Sequence, residues 1–146
     1  MSDFLGKTLD VLAEEIKNNK VVIQNKVCDK ETIIFNPAYL ESILLNFTSN
    51  AIRYSHPDRT PVISYSLSSN KYHKVLEIED NGPGIPLDIR EKIWDPFFTT
   101  KDQGEGSGLG LGIVKGIIEK HKGKISVSSI PGRTIFKIQI PHKTSS

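Results

Sequence analysis

The sequence predicts an α+β protein, a two-layer α/β sandwich with one mixed sheet and its helices on one face. Segments with apolar residues at helical spacing are mixed with short β-rich runs, and no strict strand–helix–strand repeat appears. The chain has 146 residues, the length of one domain and enough to bury a core. It contains no run of about 18 apolar residues, so the sequence predicts no membrane-spanning helix.

The elements follow in order. Leu5, Leu9, Leu12 and Ile16 form one stripe and predict a helix over 5–19. VVIQNKV (21–27) reads as a strand and TIIF (32–35) as another, able to form a hairpin around CDKE. Asn36-Pro37 opens a helix to about Ser55, with Asn36 as cap and Pro37 in the first turn; His56-Pro57-Asp58 stops it. Strands are predicted over 62–67 and 74–79, separated by SSNKYH. DNGPGIP is a loop and 87–93 a short helix. Residues 94–107 have no clean period and are rich in Gly, Thr and Asp. A helix resumes over 108–121, on the spacing of Leu109, Ile113 and Ile117, with Gly123 as its stop. Residues 124–129 and 134–140 are the last strands, and 142–146 are a disordered tail.

Composition narrows the function classes. Nineteen basic and seventeen acidic residues leave a net charge of +2, too weak a field to argue for nucleic acid or a membrane surface. The single cysteine, Cys28, excludes an internal disulfide and a cysteine metal motif, and fits a reducing compartment. The N-terminus MSDFLGKTLD lacks the apolar core of a signal peptide.

Three stretches carry chemistry. Residues 104–112 read GEGSGLGLG, five glycines at every second position. No Lys-Ser or Lys-Thr follows, so this is no P-loop, and the spacing and context differ from a dinucleotide fingerprint. Bare backbone leading into a helix lets N–H groups meet an anion; a hinge is the alternative, although Leu109 and Leu111 want a core. The second stretch is LESILLNFTSNAIRYS. Helical residues turn by about 100° each, so Asn46, Asn50 and Arg53 share one narrow stripe. Leu40, Ile43, Leu44, Phe47, Ala51 and Tyr54 lie to one side of it, and Leu45 and Ile52 to the other. Neutral amide oxygens suit magnesium that also holds substrate phosphates and water, and Arg53 suits a phosphate; an amide ladder satisfying nearby backbone is the alternative. The third is EDNGPGIP. Asp80 ends a strand as an acceptor-only group and would take a hydrogen bond from the exocyclic amine of adenine, where guanine presents a carbonyl. An ordinary turn is the alternative.

Taken together, N-x-x-x-N, D-x-G-x-G, W-D-P-F-F and G-x-G-L-G-L occur in order. The chain resembles the catalytic ATP-binding domain of two-component sensor histidine kinases, within the GHKL or Bergerat ATPase superfamily, from about residue 5 to Pro141. The resemblance implies a mostly antiparallel sheet and a mobile ATP lid. It implies that NFTSNAIRYS is the N box, with Asn50 as magnesium ligand, Asn46 assisting it, Arg53 at the phosphates and Tyr54 beside the nucleotide. DNGPG is similar to the G1 box, with Asp80 on the adenine amine and Gly82 and Gly84 in its loop. WDPFFTTK is similar to the F box, with Phe97 and Phe98 anchoring the lid and Lys101 near the phosphates. GEGSGLGLG is similar to the G2 box, with Gly106, Gly108, Leu109 and Gly110 at the triphosphate. Thr134 sits where the family has a Gly-Thr near the adenine, but Arg133 replaces the glycine here.

The same resemblance implies an activity. Gyrase-type relatives carry a Glu where this chain has Asn46, and that Glu activates water. A neutral amide cannot take the proton, so the resemblance implies an ATP-dependent protein histidine kinase domain with Mg2+ and ATP as cofactors. A non-catalytic nucleotide-binding module and a GHKL-type ATPase are the alternatives. The four histidines stand in SHPD, YHKV, KHKG and PHKT, none in a phosphoacceptor pattern. The expectation is therefore one catalytic domain over 1–146, a fragment whose histidine-bearing dimerisation helix lies before Met1. Its expected partners are that helical domain, in its own chain or a dimer mate, and a response regulator receiver domain, with no nucleic acid. Its expected location is cytoplasmic, alone or as the cytoplasmic part of a membrane-bound sensor.

Overall fold

The computed structural model describes residues 2–27, 35–53, 58–85, 88, 90, 92–94 and 110–141. In chain order the elements are α1 (Ser2–Asp10), α2 (Ala13–Asn18), β1 (Val22–Asn25), α3 (Pro37–Arg53), β2 (Val62–Ser69), β3 (His73–Asp80), a 3₁₀ turn (Lys92–Trp94), α4 (Gly110–Lys120), β4 (Lys124–Ile130) and β5 (Arg133–Pro141). The five strands form one sheet in the order β1-β2-β3-β5-β4. Only β1 and β2 run parallel; the other three pairings are antiparallel.

Strand alternation sorts the sheet into two faces. Register aligns Leu67, Leu76, Ile138 and Ile125 in one row, and Tyr65, Ile78, Phe136 and Val127 in the next. This face meets Leu5 and Leu9 of α1, Leu40, Ile43, Leu44 and Phe47 of α3, and Val114 and Ile118 of α4 in one apolar core. The opposite face carries Ser66, Glu77, Lys137 and Ser126 across the same strands. The helices therefore cover one face, as a two-layer sandwich requires.

Local chemistry fixes the element ends. Asn36 Oδ1 accepts from the Ala38 and Tyr39 N–H groups at 2.9 and 3.3 Å, so it caps α3 as its sequence predicts. In the β2–β3 turn, Asn70 Oδ1 accepts from the Tyr72 and His73 N–H groups. The predicted first helix is instead two helices. Val11 and Leu12 donate to Thr8 and Leu9, a tighter turn that buries Leu12 and leaves Val11 outside. β1 is shorter than predicted, because Asn25 Oδ1 takes the Val27 N–H and turns the chain. Its partner is β2; residues 28–34 of the expected hairpin lie outside the described residues. At the end of α4 the left-handed residue is Lys122, not Gly123. Gly123 donates to Ile118 O, and a Cβ there would stand 2.7 Å from Gln139 O, so close approach and not dihedral freedom requires the glycine. Among the described residues no helix is long and apolar enough to cross a membrane.

Candidate nucleotide site

Asp80 closes β3 on the inner face, in a row with Ile63, Thr134 and Ser129. Ile63 and Thr134, its direct neighbours, are buried. Its Oδ1 accepts from the Gly82 N–H at 2.9 Å. Burial pushes the Asp80 carboxyl up to about 6; the Gly82 bond pulls it down and the charge of Glu79 adds to the rise. A half-buried carboxylate with one oxygen held by backbone can still accept from an amine.

The loop after Asp80 is tied to the β4–β5 turn. Gly132 donates to Gly82 O at 2.9 Å, and Ile85 donates to Ser129 Oγ at 2.8 Å. Ser129 Oγ and Thr134 Oγ1 share a hydrogen bond of 2.7 Å. Gly84 has φ +92°, and a Cβ on it would meet Ile130 O at 2.9 Å, so both conformation and space demand glycine. Asn81 fastens the other side. Its Oδ1 accepts from the Val62 N–H, its Nδ2 donates to Thr60 O, and its carbonyl takes Arg59 Nη1.

α3 brings the second group of residues. Phe47 packs on Phe136 with ring centroids 4.6 Å apart, and Thr48 hydrogen-bonds the Tyr65 hydroxyl. Phe136 and Tyr65 both lie in the inner-face row adjacent to that of Asp80, so this part of α3 sits over the Asp80 end of the sheet. Burial pushes the Tyr65 phenol up to about 12, with the Thr48 bond pulling part of the way back. Asn46, Asn50 and Arg53 are half-buried. Asn46 Nδ2 donates to Ser42 O at 2.7 Å and reaches Ser42 Oγ at 3.2 Å. Because a carbonyl only accepts, the amide oxygen of Asn46 must point the other way. Asn50 Oδ1 accepts from Arg53 Nη1 at 3.2 Å. Among the described residues no cluster of three His, Cys, Asp or Glu could hold a metal. The oxygens on this stripe are neutral, which fits a magnesium ion that arrives with its own phosphates and water.

Phe136 is also the meeting point for the start of the expected lid. Trp94 stands edge-on to it at 6.0 Å, and Lys115 Nζ of α4 lies 5.5 Å from the Trp94 ring centre. The structure thus gathers Asp80, Gly82, Gly84 and Thr134 into one cluster, and Asn46, Asn50 and Arg53 onto one stripe. Gly110 opens α4. Tyr54, Phe97, Phe98, Lys101, Gly106, Gly108 and Leu109 lie outside the described residues. Sequence reasoning missed Ser129, Arg90, Asn81 and Phe136. Pairing residues outward from the Pro131-Gly132 turn would have found Ser129 opposite Thr134.

The geometry meets a known family here. Residues 35–144 match the model of the histidine kinase-, DNA gyrase B-, and HSP90-like ATPase family. The chain belongs to this family. As a member of this ATPase family it is an ATP-binding domain. It is 38% identical over 106 residues to the sensor histidine kinase TmoS of Ectopseudomonas mendocina, an alignment covering 69% of this chain and 11% of TmoS. It is 28% identical over 144 residues to the sensory histidine kinase/phosphatase NtrB of Escherichia coli O157:H7, over 92% of this chain and 41% of NtrB. The chain therefore spans less than half the length of either relative. The catalytic domain of the histidine kinase ThkA has a TM-score of 0.82 to it at 26% identity, over 97% of this chain and 91% of that one. The two-layer sandwich of this family is the fold expected from the sequence.

Proposed function

We propose that this domain binds Mg-ATP and positions the γ-phosphate for transfer to a histidine on a separate helical domain, as the catalytic part of a two-component sensor histidine kinase. The reading rests above all on Asn46. It is a neutral amide whose nitrogen is spent on its own helix at Ser42 O, at the position where water-activating relatives carry a carboxylate. No described residue on the stripe of Asn46, Asn50 and Arg53 can act as a base for water.

The remaining roles follow from chemistry. Asp80 accepts from the adenine amine, with Thr134 beside it. Magnesium, when bound, supplies charge neutralisation at the phosphates. Asn50 would hold the metal through its amide oxygen, with Asn46 supporting it. Arg53, on the same stripe, would meet phosphate oxygens through its guanidinium. Gly106, Gly108, Leu109 and Gly110 supply backbone at the triphosphate, Phe97 and Phe98 anchor the lid, and Lys101 serves the phosphates. Tyr54 flanks the nucleotide. The proposed partners are a histidine-bearing helical domain and a receiver domain, and the proposed location is the cytoplasm.

Mixing the chain with labelled ATP and a separately supplied histidine-bearing helical domain tests this. Label appearing on that domain, with slow release of free phosphate, is expected. Fast phosphate release with no transfer would assign the chain to the water-using branch of its family.

A further inference from the structure

Arg90 has no part in the reading above, yet it joins two walls of the base site. Its Nη2 donates to Ile85 O at 2.8 Å and to Ser129 O at 2.9 Å. Ile85 ends the described loop that begins after Asp80, and Ser129 stands opposite Thr134 on the neighbouring strand. The Ile85 N–H returns to Ser129 Oγ, which also bonds Thr134 Oγ1. One guanidinium thus clasps the loop to the strand at the point where a side chain already bonds it. The Nε of Arg90 is buried and has no partner among the described residues.

We propose that Arg90 is a positioning residue for the nucleotide base. Through Ile85 and Ser129 it holds together the loop whose Gly82 N–H fixes the Asp80 carboxylate and the strand β4 that pairs with Thr134. Without it, Asp80 keeps its chemistry but loses its aim. This role rests on the proposed ATP site. It belongs to a residue that touches no substrate, and its signature is selectivity. A relaxed loop lets the carboxylate rotate, and the penalty on a base that presents a carbonyl in place of an amine falls.

The test is titration calorimetry of the whole chain with Mg-ATP and with Mg-GTP, for wild type, Arg90→Met, Arg90→Lys and Ser129→Ala, each with its melting temperature. Wild type should prefer ATP. In Arg90→Met the ATP-to-GTP affinity ratio should fall at least about fivefold, the scale of one ordinary hydrogen bond. Arg90→Lys, which can reach one carbonyl but not fork to two, should fall between. Ser129→Ala removes the acceptor for Ile85 and should lower the ratio in the same direction. Should Arg90→Met fail to fold, Arg90→Lys decides: an ATP-to-GTP ratio equal to wild type overturns the positioning role. A lowered melting temperature with an unchanged ratio overturns the positioning role while leaving the ATP site intact. A wild type that binds no nucleotide overturns the functional reading and this role with it.

Discussion

Asp80 and Asn50 are both proposed to offer an oxygen to a ligand, but the protein holds them differently. The Asp80 carboxylate is set by a backbone N–H, and the loop behind it is tied to β4 and β5 by Gly132, Ser129 and Arg90. The amides of α3 are set by side chains and their own helix: Asn46 on Ser42, Asn50 on Arg53. Backbone-anchored groups are built before the ligand arrives. Groups bonded to a neighbouring side chain are held only as firmly as that side chain. On the proposed reading, the base end is preorganised for selectivity and the phosphate end is completed by what it binds.

The largest effect should come from the end that is completed by its ligand. Asn50→Ala removes the proposed metal oxygen and should cut phosphate transfer to a histidine domain by about a hundredfold or more. A magnesium titration of the same variant should show weakened dependence on the metal. Transfer equal to wild type would mean that the amides of α3 are structural. At the base end, Gly84→Ala forces a Cβ into Ile130 O at φ +92°. It should cost about 2 kcal/mol of stability, read by chemical denaturation, and weaken ATP binding as the loop shifts.

The pH dependence separates the two ends further. The folded Asp80 carboxyl keeps its proton up to about 6, against an ordinary 3.8. Its contribution to stability is fully present below that ordinary value and is lost as the pH rises through about 6. Binding of an amine donor runs the other way, because the charged carboxylate is the better acceptor. Adenosine affinity should rise up to about tenfold between roughly pH 5 and pH 7, following the ionised fraction. Adenosine lacks titrating phosphates, and Asp80→Asn should flatten the profile. The smallest effect is expected from Asn46→Glu. Released phosphate should rise a few-fold, roughly, if the cleft admits a positioned water, with no gain in transfer to histidine.

The sequence carried local features well and long-range ones poorly. The α3 cap at Asn36, the inward rows of β2, β3 and β5, and the shared stripe of Asn46, Asn50 and Arg53 all follow from short periodicities and one capping residue. The break at Val11 does not, because a stripe of Leu5, Leu9, Leu12 and Ile16 is compatible with one helix or two. Gly123 is the expected stop of α4, but the left-handed residue is Lys122, and the packing of Gly123 against Gln139 is what requires glycine there. The ties of Asn81 to Arg59 and Val62, and of Ser129 to Ile85 and Arg90, were silent because they span 19 to 22 and 39 to 44 residues of chain. Only folding brings these residues to Asp80.

Titration calorimetry of the chain with Mg-ATP and Mg-GTP at neutral pH, beside Asp80→Asn, tests the preformed base end most directly. Wild type should bind Mg-ATP at least about tenfold more tightly than Mg-GTP, since guanine leaves the carboxylate facing a carbonyl. Asp80→Asn should lose that preference, because its amide can present a donor. Equal affinity of the wild type for the two nucleotides would contradict the account.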